Sequence, residues 1–195
     1  YSLEAVWNGL KDCYADLKKN VKEAYGVEIE TIGAIGVSAM MHGYLAFDAE
    51  NELLVPFRTW RNTMTGQAAR ELTDLFAHQI PQRFSISHLY QAILNGEEHV
   101  KDITYITTLA GYVHWMLTGQ KVLGVDDASG MFPIDAETKT YYTDMLEKFN
   151  QKIADRNYPW KIAEILPKTL LAGECAGILT EAGAKLLDPS GTLGA

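Results

Sequence analysis

The chain has 195 residues, of which 47% are hydrophobic and 22% are charged, which suits one sizeable globular domain or a domain with a small appendage. Its net charge is -8 and it has no basic run, which argues against nucleic acid or an anionic membrane as its primary partner. The two cysteines, Cys13 and Cys175, lie far apart without metal-site spacing, which favours a reducing compartment over a disulfide framework or a zinc site.

The start of the chain shows neither a signal peptide nor a long apolar span. It begins at Tyr1 without an initiator methionine, directly in a helical pattern. We therefore expect a piece of a longer protein.

The first predicted element is a helix. Ser2 can cap it, apolar residues recur at helical spacing from Leu3 onward, and Gly26 can end it. The other side of this helix carries three basic residues, interpreted as a solvated face: Lys18, Lys19 and Lys22. The pattern predicts one apolar stripe packed on the rest of the domain.

The segment from Thr31 to Met41 is almost continuously apolar and contains glycines, which predicts a strand buried on both faces. His42 and Gly43 then predict a sharp turn into a second strand over 44–48. A polar residue at the end of a buried strand is where α/β sheets place ligand groups. His42 is therefore a candidate to bond a substrate hydroxyl, and a histidine satisfied by backbone carbonyls is an equally good interpretation.

Residues 53–60 predict an edge or irregular strand, because Pro56 cannot donate to a ladder. Trp60 at its end is followed by Arg61 and Asn62, which combines a flat apolar face with hydrogen-bonding groups. That pairing suits a sugar, whose C–H face stacks on an aromatic ring while its hydroxyls need partners. A buried core tryptophan is the alternative.

The middle and the end of the chain are predicted to be mainly helical. Predicted helices cover 63 or 65 to 76, 89–94, 100–103, 107–118, 140–153 and 180–187, and 188–195 is a turn-rich tail resembling the exit to another domain. The histidines show no helical His-x-x-x-His spacing and no clustering with cysteine, so no metal site is predicted.

The stretch Gly124-Val-Asp-Asp-Ala-Ser-Gly-Met-Phe-Pro-Ile-Asp135 places two adjacent carboxylates beside small residues and a glycine. It predicts a strand, a tight turn and a strand. Asp127 is the candidate for chemistry, because the Ala-Ser-Gly after it leaves room above its carboxylate, whereas Asp126 would point the opposite way along an extended backbone. By composition alone, an Asx-turn is the favoured alternative.

Four motifs stand in one collinear order along nearly the whole chain. They are Ile35-Gly-Val-Ser-Ala-Met-Met-His-Gly43, Val55-Pro-Phe-Arg-Thr-Trp60, the pattern from Leu109 to Asp135, and 165–187. They resemble the Ser-Gly-Gln-Met-His-Gly signature, the segment before Trp-Asn-Asp, the Ser-Asp-Ala-(Ala/Ser)-Gly turn and the following connection of the xylulokinase-type FGGY carbohydrate kinases. This resemblance favours functional roles for Asp127 and His42.

The resemblance implies the α/β, ribonuclease-H-like fold of actin-like ATPases and sugar kinases, a mixed sheet with flanking helices, here incomplete. Residues 1–188 would be the N-terminal, sugar-binding domain, and 189–195 the start of the connection to a C-terminal nucleotide-binding domain. The implied activity is the ATP-dependent phosphorylation of a hydroxyl of xylulose or a similar ketose in the cytoplasm, with ATP and Mg2+ bound mainly outside this chain. Sugar and ATP are the implied partners, nucleic acid and membrane are not, and a homodimer is left open.

The resemblance also implies roles for particular residues. Asp127 matches the general base of the family, Met41 and His42 match sugar-contacting positions, and Trp60 matches the tryptophan of the sugar pocket. A sugar hydroxyl is a weak nucleophile, so a carboxylate that accepts its proton as it attacks the γ-phosphate supplies orientation and basicity. We expect His42 and Asp127 to face one cleft with Trp60 on its wall.

Departures from the family pattern affect the pocket. Trp60-Arg-Asn-Thr-Met64 replaces Trp-Asn-Asp-x-Arg, so Asn62 stands for an acidic pocket residue and the usual arginine is absent. Ala39 and Met40 replace the usual glycine and glutamine. These changes leave the identity of the sugar open.

The phosphate- and magnesium-binding Asp-x-Gly-Thr-Thr hairpin of the family has no counterpart, nor has the Gly-Asp-rich start of its second domain. We therefore expect a segment truncated at both ends that is inactive alone. The alternatives are a non-catalytic sugar-binding or regulatory module, and a structural actin-like domain in which Asp127 and His42 are only turn residues.

Overall fold

The computed structural model describes residues 2–195. Its helices are α1 (Leu3–Tyr25), α2 (Gly66–Phe76), α3 (Ser85–Leu94), α4 (Leu109–Thr118), the one-turn α5 (Val125–Ala128), α6 (Thr143–Lys152), α7 (Ile162–Ile165) and α8 (Glu181–Leu187), with 3-10 turns at Glu98–Asp102 and Ala154–Arg156. The strands are β1 (Leu45–Phe47), β2 (Tyr105–Thr107), β3 (Val122–Gly124) and β4 (Lys168–Leu170).

The first helix begins and ends as predicted. The Ser2 hydroxyl accepts the N–H of Ala5 over 3.1 Å, and Gly26 ends the helix at a φ of 68°, which favours glycine. Trp7 and Tyr14 form its buried stripe. The helices predicted around 66–76, 109–118, 143–152 and 181–187 are also present, because each carries an apolar face that the domain buries.

Short strands form two sheets within residues 2–195. β1 pairs antiparallel with β2, with Leu45 opposite Thr107, and β3 pairs parallel with β4, with Val122 opposite Lys168. Helices pack around both sheets, so the predicted mixed α/β class is confirmed. None of the helices within residues 2–195 combines the length and apolar character that crossing a bilayer requires.

Three apolar clusters hold the described chain together. The largest contains Leu89 and Phe132, a second joins α1 to α4 through Trp7 and Tyr112, and the third joins α1 to α8. The Trp7 indole N–H donates to the Tyr112 hydroxyl over 3.1 Å, so the polar group that this aromatic buries is paired.

The buried strand predicted from Thr31 to Met41 is wrong. The segment has no strand pairing among the described residues, and Ile35 is 44% exposed. An apolar run becomes a buried strand only where partner strands satisfy its N–H and C=O groups. Here the segment instead borders a cavity of about 800 Å3.

The predicted strand-turn-strand at Gly124 to Asp135 is also wrong in its centre. After β3 the backbone makes the helical turn α5, in which the Ser129 N–H donates to the Val125 carbonyl over 3.0 Å. Successive side chains are about 100° apart in a helix rather than 180°. Asp126 and Asp127 therefore line the same cavity instead of pointing in opposite directions.

The basic face of α1 is solvated only in part. The Lys18 ammonium donates to Asp188 over 2.7 Å and to Ser190 over 2.8 Å, so its interpretation as solvated is wrong. Lys19 and Lys22 remain exposed. Asp188 is buried and also accepts the Leu193 N–H, which folds residues 188–193 back onto α1.

Candidate active site

Asp127 lies in α5, directly after β3. Its Oδ2 accepts the hydroxyl of Thr108 over 2.6 Å. Thr108 is buried and also caps α4, where its Oγ1 accepts the N–H of Gly111 over 3.2 Å. The start of α4 therefore holds one side of the Asp127 carboxylate in place.

The other carboxylate oxygen, Oδ1, is buried and has no hydrogen-bond partner among residues 2–195. Burial raises the pKa of Asp127, while the hydrogen bond from Thr108 and the nearby His42 oppose that rise. A carboxylate with a raised pKa and one unpartnered oxygen is chemically suited to accept a proton from a bound ligand.

His42 lies in the tight turn before β1 and has a φ of 66°. Its Nδ1 bonds the Gly130 carbonyl over 3.2 Å, and its Nε2 accepts the Nε–H of Arg83 over 3.0 Å. Because Arg83 can only donate, Nε2 is the unprotonated nitrogen and Nδ1 carries the hydrogen. Burial lowers the pKa of His42 and Arg83 lowers it further, while the bond to Gly130 and the nearby Asp127 oppose that fall.

Gly130 connects the His42 turn to Asp127. Its N–H donates to the Asp127 carbonyl over 3.0 Å. A Cβ at this position would lie 2.8 Å from His42 Cε1 and 3.1 Å from Met41 Cε, so only glycine lets these side chains approach. The structure thus brings Met41 and His42 to the turn that contains Asp127.

The His42 turn is also held from two other sides. Tyr44 and Arg58 pair as an isolated bridge, and the Ser85 hydroxyl donates to the Gly43 carbonyl over 2.5 Å. Gly43 has a φ of 92°, and a Cβ there would lie 2.8 Å from the Arg58 carbonyl oxygen. The segment before Trp60 and the start of α3 therefore fix the backbone at His42.

Trp60 and Asn62 have local partners. Trp60 is 45% exposed, so the alternative of a buried core tryptophan is wrong, and the Arg61 guanidinium lies 5.2 Å from its ring centroid. Asn62 Oδ1 accepts the Met64 N–H over 3.0 Å within a turn. Neither contact within residues 2–195 joins these two side chains to Asp127.

The cavity of about 800 Å3 beside Asp127 does not contain the other predicted site residues. It is lined by Asp126, Asp127 and residues from 31–37 and 174–179, whereas His42 and Trp60 are outside it. Asp127 and His42 are therefore neighbours through Gly130, but they do not line this large cavity together.

The described residues do not form a cage for a metal ion. Within 2–195, no three His, Cys, Asp or Glu side chains cluster in a way that could hold one. Kinases hold Mg2+ through one or two carboxylates and the phosphates of the nucleotide.

Two residues that contact the predicted site residues, Thr108 and Arg83, were not predicted from the sequence. Thr108 precedes an apolar helix, which is a readable cap signal, but nothing in the sequence links it to Asp127. Arg83 had no signal at all, because its partner His42 is 41 positions away in the chain.

The sequence model of the N-terminal domain of the FGGY family of carbohydrate kinases matches residues 1–188. No curated protein matches the sequence at a significant level.

Several solved structures have a similar fold. A gluconate kinase from Lactobacillus acidophilus is 16% identical, with a TM-score of 0.76 over 94% of this chain and 36% of that chain. A xylulose kinase from Rhodospirillum rubrum is 19% identical, with a TM-score of 0.75 over 93% of this chain and 37% of that chain. A xylulose kinase from Lactobacillus acidophilus is 16% identical, with a TM-score of 0.75 over 94% of this chain and 36% of that chain.

The chain thus spans little more than a third of the length of these kinases. At such low identity, the likeness shows a common fold. With the sequence match over residues 1–188, it shows that the chain belongs to the FGGY family of carbohydrate kinases, as their N-terminal domain.

Proposed function

We propose that this chain is the sugar-binding part of an ATP-dependent kinase that phosphorylates a hydroxyl of xylulose or a similar ketose, with Asp127 as the general base. Residues 1–188 would form the sugar-binding domain, and 189–195 the start of the connection to a nucleotide-binding domain. The observation that carries the proposal is Oδ1 of Asp127, which is buried and has no hydrogen-bond partner within residues 2–195.

In this proposal the two oxygens of Asp127 have different tasks. Oδ2 is held by Thr108 over 2.6 Å, which fixes the plane of the carboxylate. Oδ1 then accepts the proton of the sugar hydroxyl as the hydroxyl oxygen attacks the γ-phosphate of ATP. The raised pKa of Asp127, caused chiefly by burial, makes it a stronger base than an exposed aspartate.

The wall of the sugar site would be formed by Met41, His42, Trp60 and Asn62. Met41 and Trp60 are exposed apolar side chains, which suit the C–H face of a sugar. His42 is anchored beside Asp127 through Gly130. The Oδ1 of Asn62 accepts a hydrogen bond within its own turn, so we expect the side-chain nitrogen, Nδ2, to donate to the sugar.

ATP and Mg2+ would be bound mainly by parts of the kinase outside this chain. When bound, they supply the phosphoryl group and neutralise its charge. A cytoplasmic location agrees with the two free, exposed cysteines. We assign no oligomeric state.

The test is to express the complete reading frame that encodes this chain and to assay sugar-dependent ADP formation over ketopentoses, ketohexoses and polyols. We expect one sugar to be strongly preferred, and residues 1–195 alone to give no measurable turnover. Sugar binding without turnover by the complete protein would instead support the non-catalytic binding module. If the complete protein shows no sugar binding and no turnover, both the kinase proposal and the binding-module alternative are refuted.

A further inference from the structure

We infer that Arg83, rather than the ring of His42, donates the hydrogen bonds that hold the substrate beside Asp127, and that it selects a substrate with two adjacent oxygen atoms. This inference rests on the proposed function and deepens it. His42 becomes a positioning residue, which acts through Arg83.

Both ring nitrogens of His42 are already used. Nδ1 donates to the Gly130 carbonyl over 3.2 Å, and Nε2 accepts from Arg83 over 3.0 Å. The ring also stacks on Phe84, with centroids 5.4 Å apart. A sugar hydroxyl could bond a ring nitrogen only by displacing one of these partners, so His42 offers little as a direct ligand.

Arg83 has donors to spare at the same place. A guanidinium carries five N–H donors, and His42 engages only the one on Nε. The side chain of Arg83 is exposed, and its hydrogen bonds leave both Nη atoms without a partner among residues 2–195. The bond to His42 therefore holds the guanidinium while its outer edge faces solvent.

The backbone on both sides of Arg83 is fixed to the His42 turn. The Arg83 carbonyl accepts the N–H of Gly43 over 3.4 Å, and Ser85 donates its hydroxyl to the Gly43 carbonyl over 2.5 Å. With Phe84 against the His42 ring, residues 83–85 contact the turn at three consecutive positions. Such a held guanidinium loses little further freedom when it binds a ligand.

The chemistry of the outer edge defines the class of ligand. Two parallel N–H groups of a guanidinium match two adjacent acceptor oxygens. A carboxylate and a pair of neighbouring hydroxyls both present such oxygens, so a sugar acid and a neutral sugar are the two sources. Arg83 would thus decide between substrates that place this pair correctly relative to Asp127 and those that do not.

The experiment compares Arg83→Met and Arg83→Lys with Arg70→Met in the complete protein. Arg70 is an exposed arginine of α2 and serves as the matched control. Sugar affinity is measured by calorimetry, independently of turnover. We expect Arg83→Met to weaken binding by about 10- to 100-fold, as for the loss of charge-assisted hydrogen bonds, and Arg70→Met to bind like the wild type.

A double-mutant cycle tests the role of His42. If His42 acts through Arg83, His42→Ala should weaken binding in the wild type and add little in the Arg83→Met background. Arg83→Lys keeps the positive charge but lacks the two parallel N–H groups of the guanidinium. It should therefore bind sugar more tightly than Arg83→Met but less tightly than the wild type. Added guanidinium ion should partly restore binding by Arg83→Ala and leave Arg70→Ala unchanged, which a merely structural role would not produce.

The substrate arm compares gluconate with sorbitol. A larger loss for gluconate in Arg83→Met identifies a carboxylate as the ligand, and equal losses identify a hydroxyl pair. If Arg83→Met binds both ligands and the preferred sugar as tightly as the wild-type protein does, the inference is overturned while the proposed function stands. Arg83-dependent binding without turnover would sink the proposed function instead, and a wild type that binds no sugar would overturn both.

Discussion

The Thr108 hydroxyl that caps α4 also donates to Oδ2 of Asp127, so one buried side chain sets both the start of a helix and the orientation of the candidate base. The bond leaves Oδ1, the other oxygen of this carboxylate, buried and without a partner among residues 2–195. This geometry links the cap of α4 to the candidate base in a way that mutations can separate.

We expect Asp127→Asn to lower the kcat of the complete kinase by about a hundredfold to ten-thousandfold, with a much smaller change in KM. Asparagine keeps the size of aspartate and most of its hydrogen bonding, but it cannot accept the proton. Steady-state kinetics on the preferred sugar measure the effect. Near-normal turnover of this variant would show that Asp127 is only a turn residue.

The same substitution should raise Tm at neutral pH. Burial holds the folded pKa of Asp127 above its usual value of 3.8, so the ionised form costs stability once the pH exceeds that value. Asparagine removes the charge and therefore the cost. A Tm gain that persists below pH 3.8, where wild-type Asp127 is protonated, would contradict this cause.

Thr108→Val should lower kcat by about tenfold and raise the pKa of the acid limb of the pH-rate profile, because Asp127 loses the donor that stabilises its anion. Thr108→Ser should behave like the wild type. Thr180→Val is the control, since Thr180 caps α8 in the same way, accepting the Gly183 N–H over 3.0 Å. Both valine variants should lose about 1 kcal/mol of stability through the lost cap, and only Thr108→Val should change the pH profile.

Gly130→Ala should weaken sugar binding by about tenfold or more, because its Cβ would lie 2.8 Å from the His42 ring and displace it. The backbone of Gly130 does not need glycine, since its φ is not positive. Gly9→Ala in α1, which has nothing within 4 Å, is the control and should bind sugar normally. Unchanged sugar affinity in Gly130→Ala would remove His42 from the site.

We expect the fold to lose stability in acid because of His88. It is fully buried, neither ring nitrogen has a partner among residues 2–195, and burial with a contribution from Arg58 lowers its pKa from 6.5 to about 4. The unfolded chain therefore binds the proton more tightly, so stability falls as the pH drops from 6.5 toward 4.

Replacing His88 by leucine should remove up to about 3 kcal/mol of this pH-dependent loss. Urea unfolding at a series of pH values, for His88→Leu and for the exposed control His78→Leu, measures it. Parallel pH curves for His88→Leu and the wild type would show that His88 does not titrate in this range.

Asp188→Ala should destabilise the fold by about 2 to 4 kcal/mol, because the nearly buried Lys18 ammonium loses its counter-charge, keeping only its bond to Ser190, and the Leu193 N–H loses its partner. Burial alone would raise the pKa of Asp188, but its hydrogen bonds from Lys18, Ser190 and Leu193 lower it to about 2. The stabilisation of the fold by ionised Asp188 is therefore complete above pH 3.8 and is lost as the pH falls toward 2. Asp144→Ala, which breaks the exposed pair with Lys148, should change stability by less than about 0.5 kcal/mol.

The sequence by itself determined the features that depend on neighbours along the chain. The cap at Ser2 and the glycine stop at Gly26 are local signals, and both are found as predicted. The apolar stripe of α1 is buried at Trp7 and Tyr14, whereas Leu17 on it is exposed. The turn at His42 was also predictable, because a histidine followed by glycine between apolar runs indicates a turn. The collinear motifs likewise indicate the family from the sequence alone, and the match over residues 1–188 confirms it.

Only the tertiary structure decided what depends on distant partners. The apolar run at Thr31 to Met41 has the composition of a buried strand, yet a strand forms only where another backbone satisfies its polar groups, and none does so within the described chain. Periodicity likewise contained nothing about the bonds from Thr108 to Asp127 and from Arg83 to His42. Hydrogen bonds between side chains far apart in sequence exist only once packing has placed both groups within about 3 Å, which no local pattern specifies.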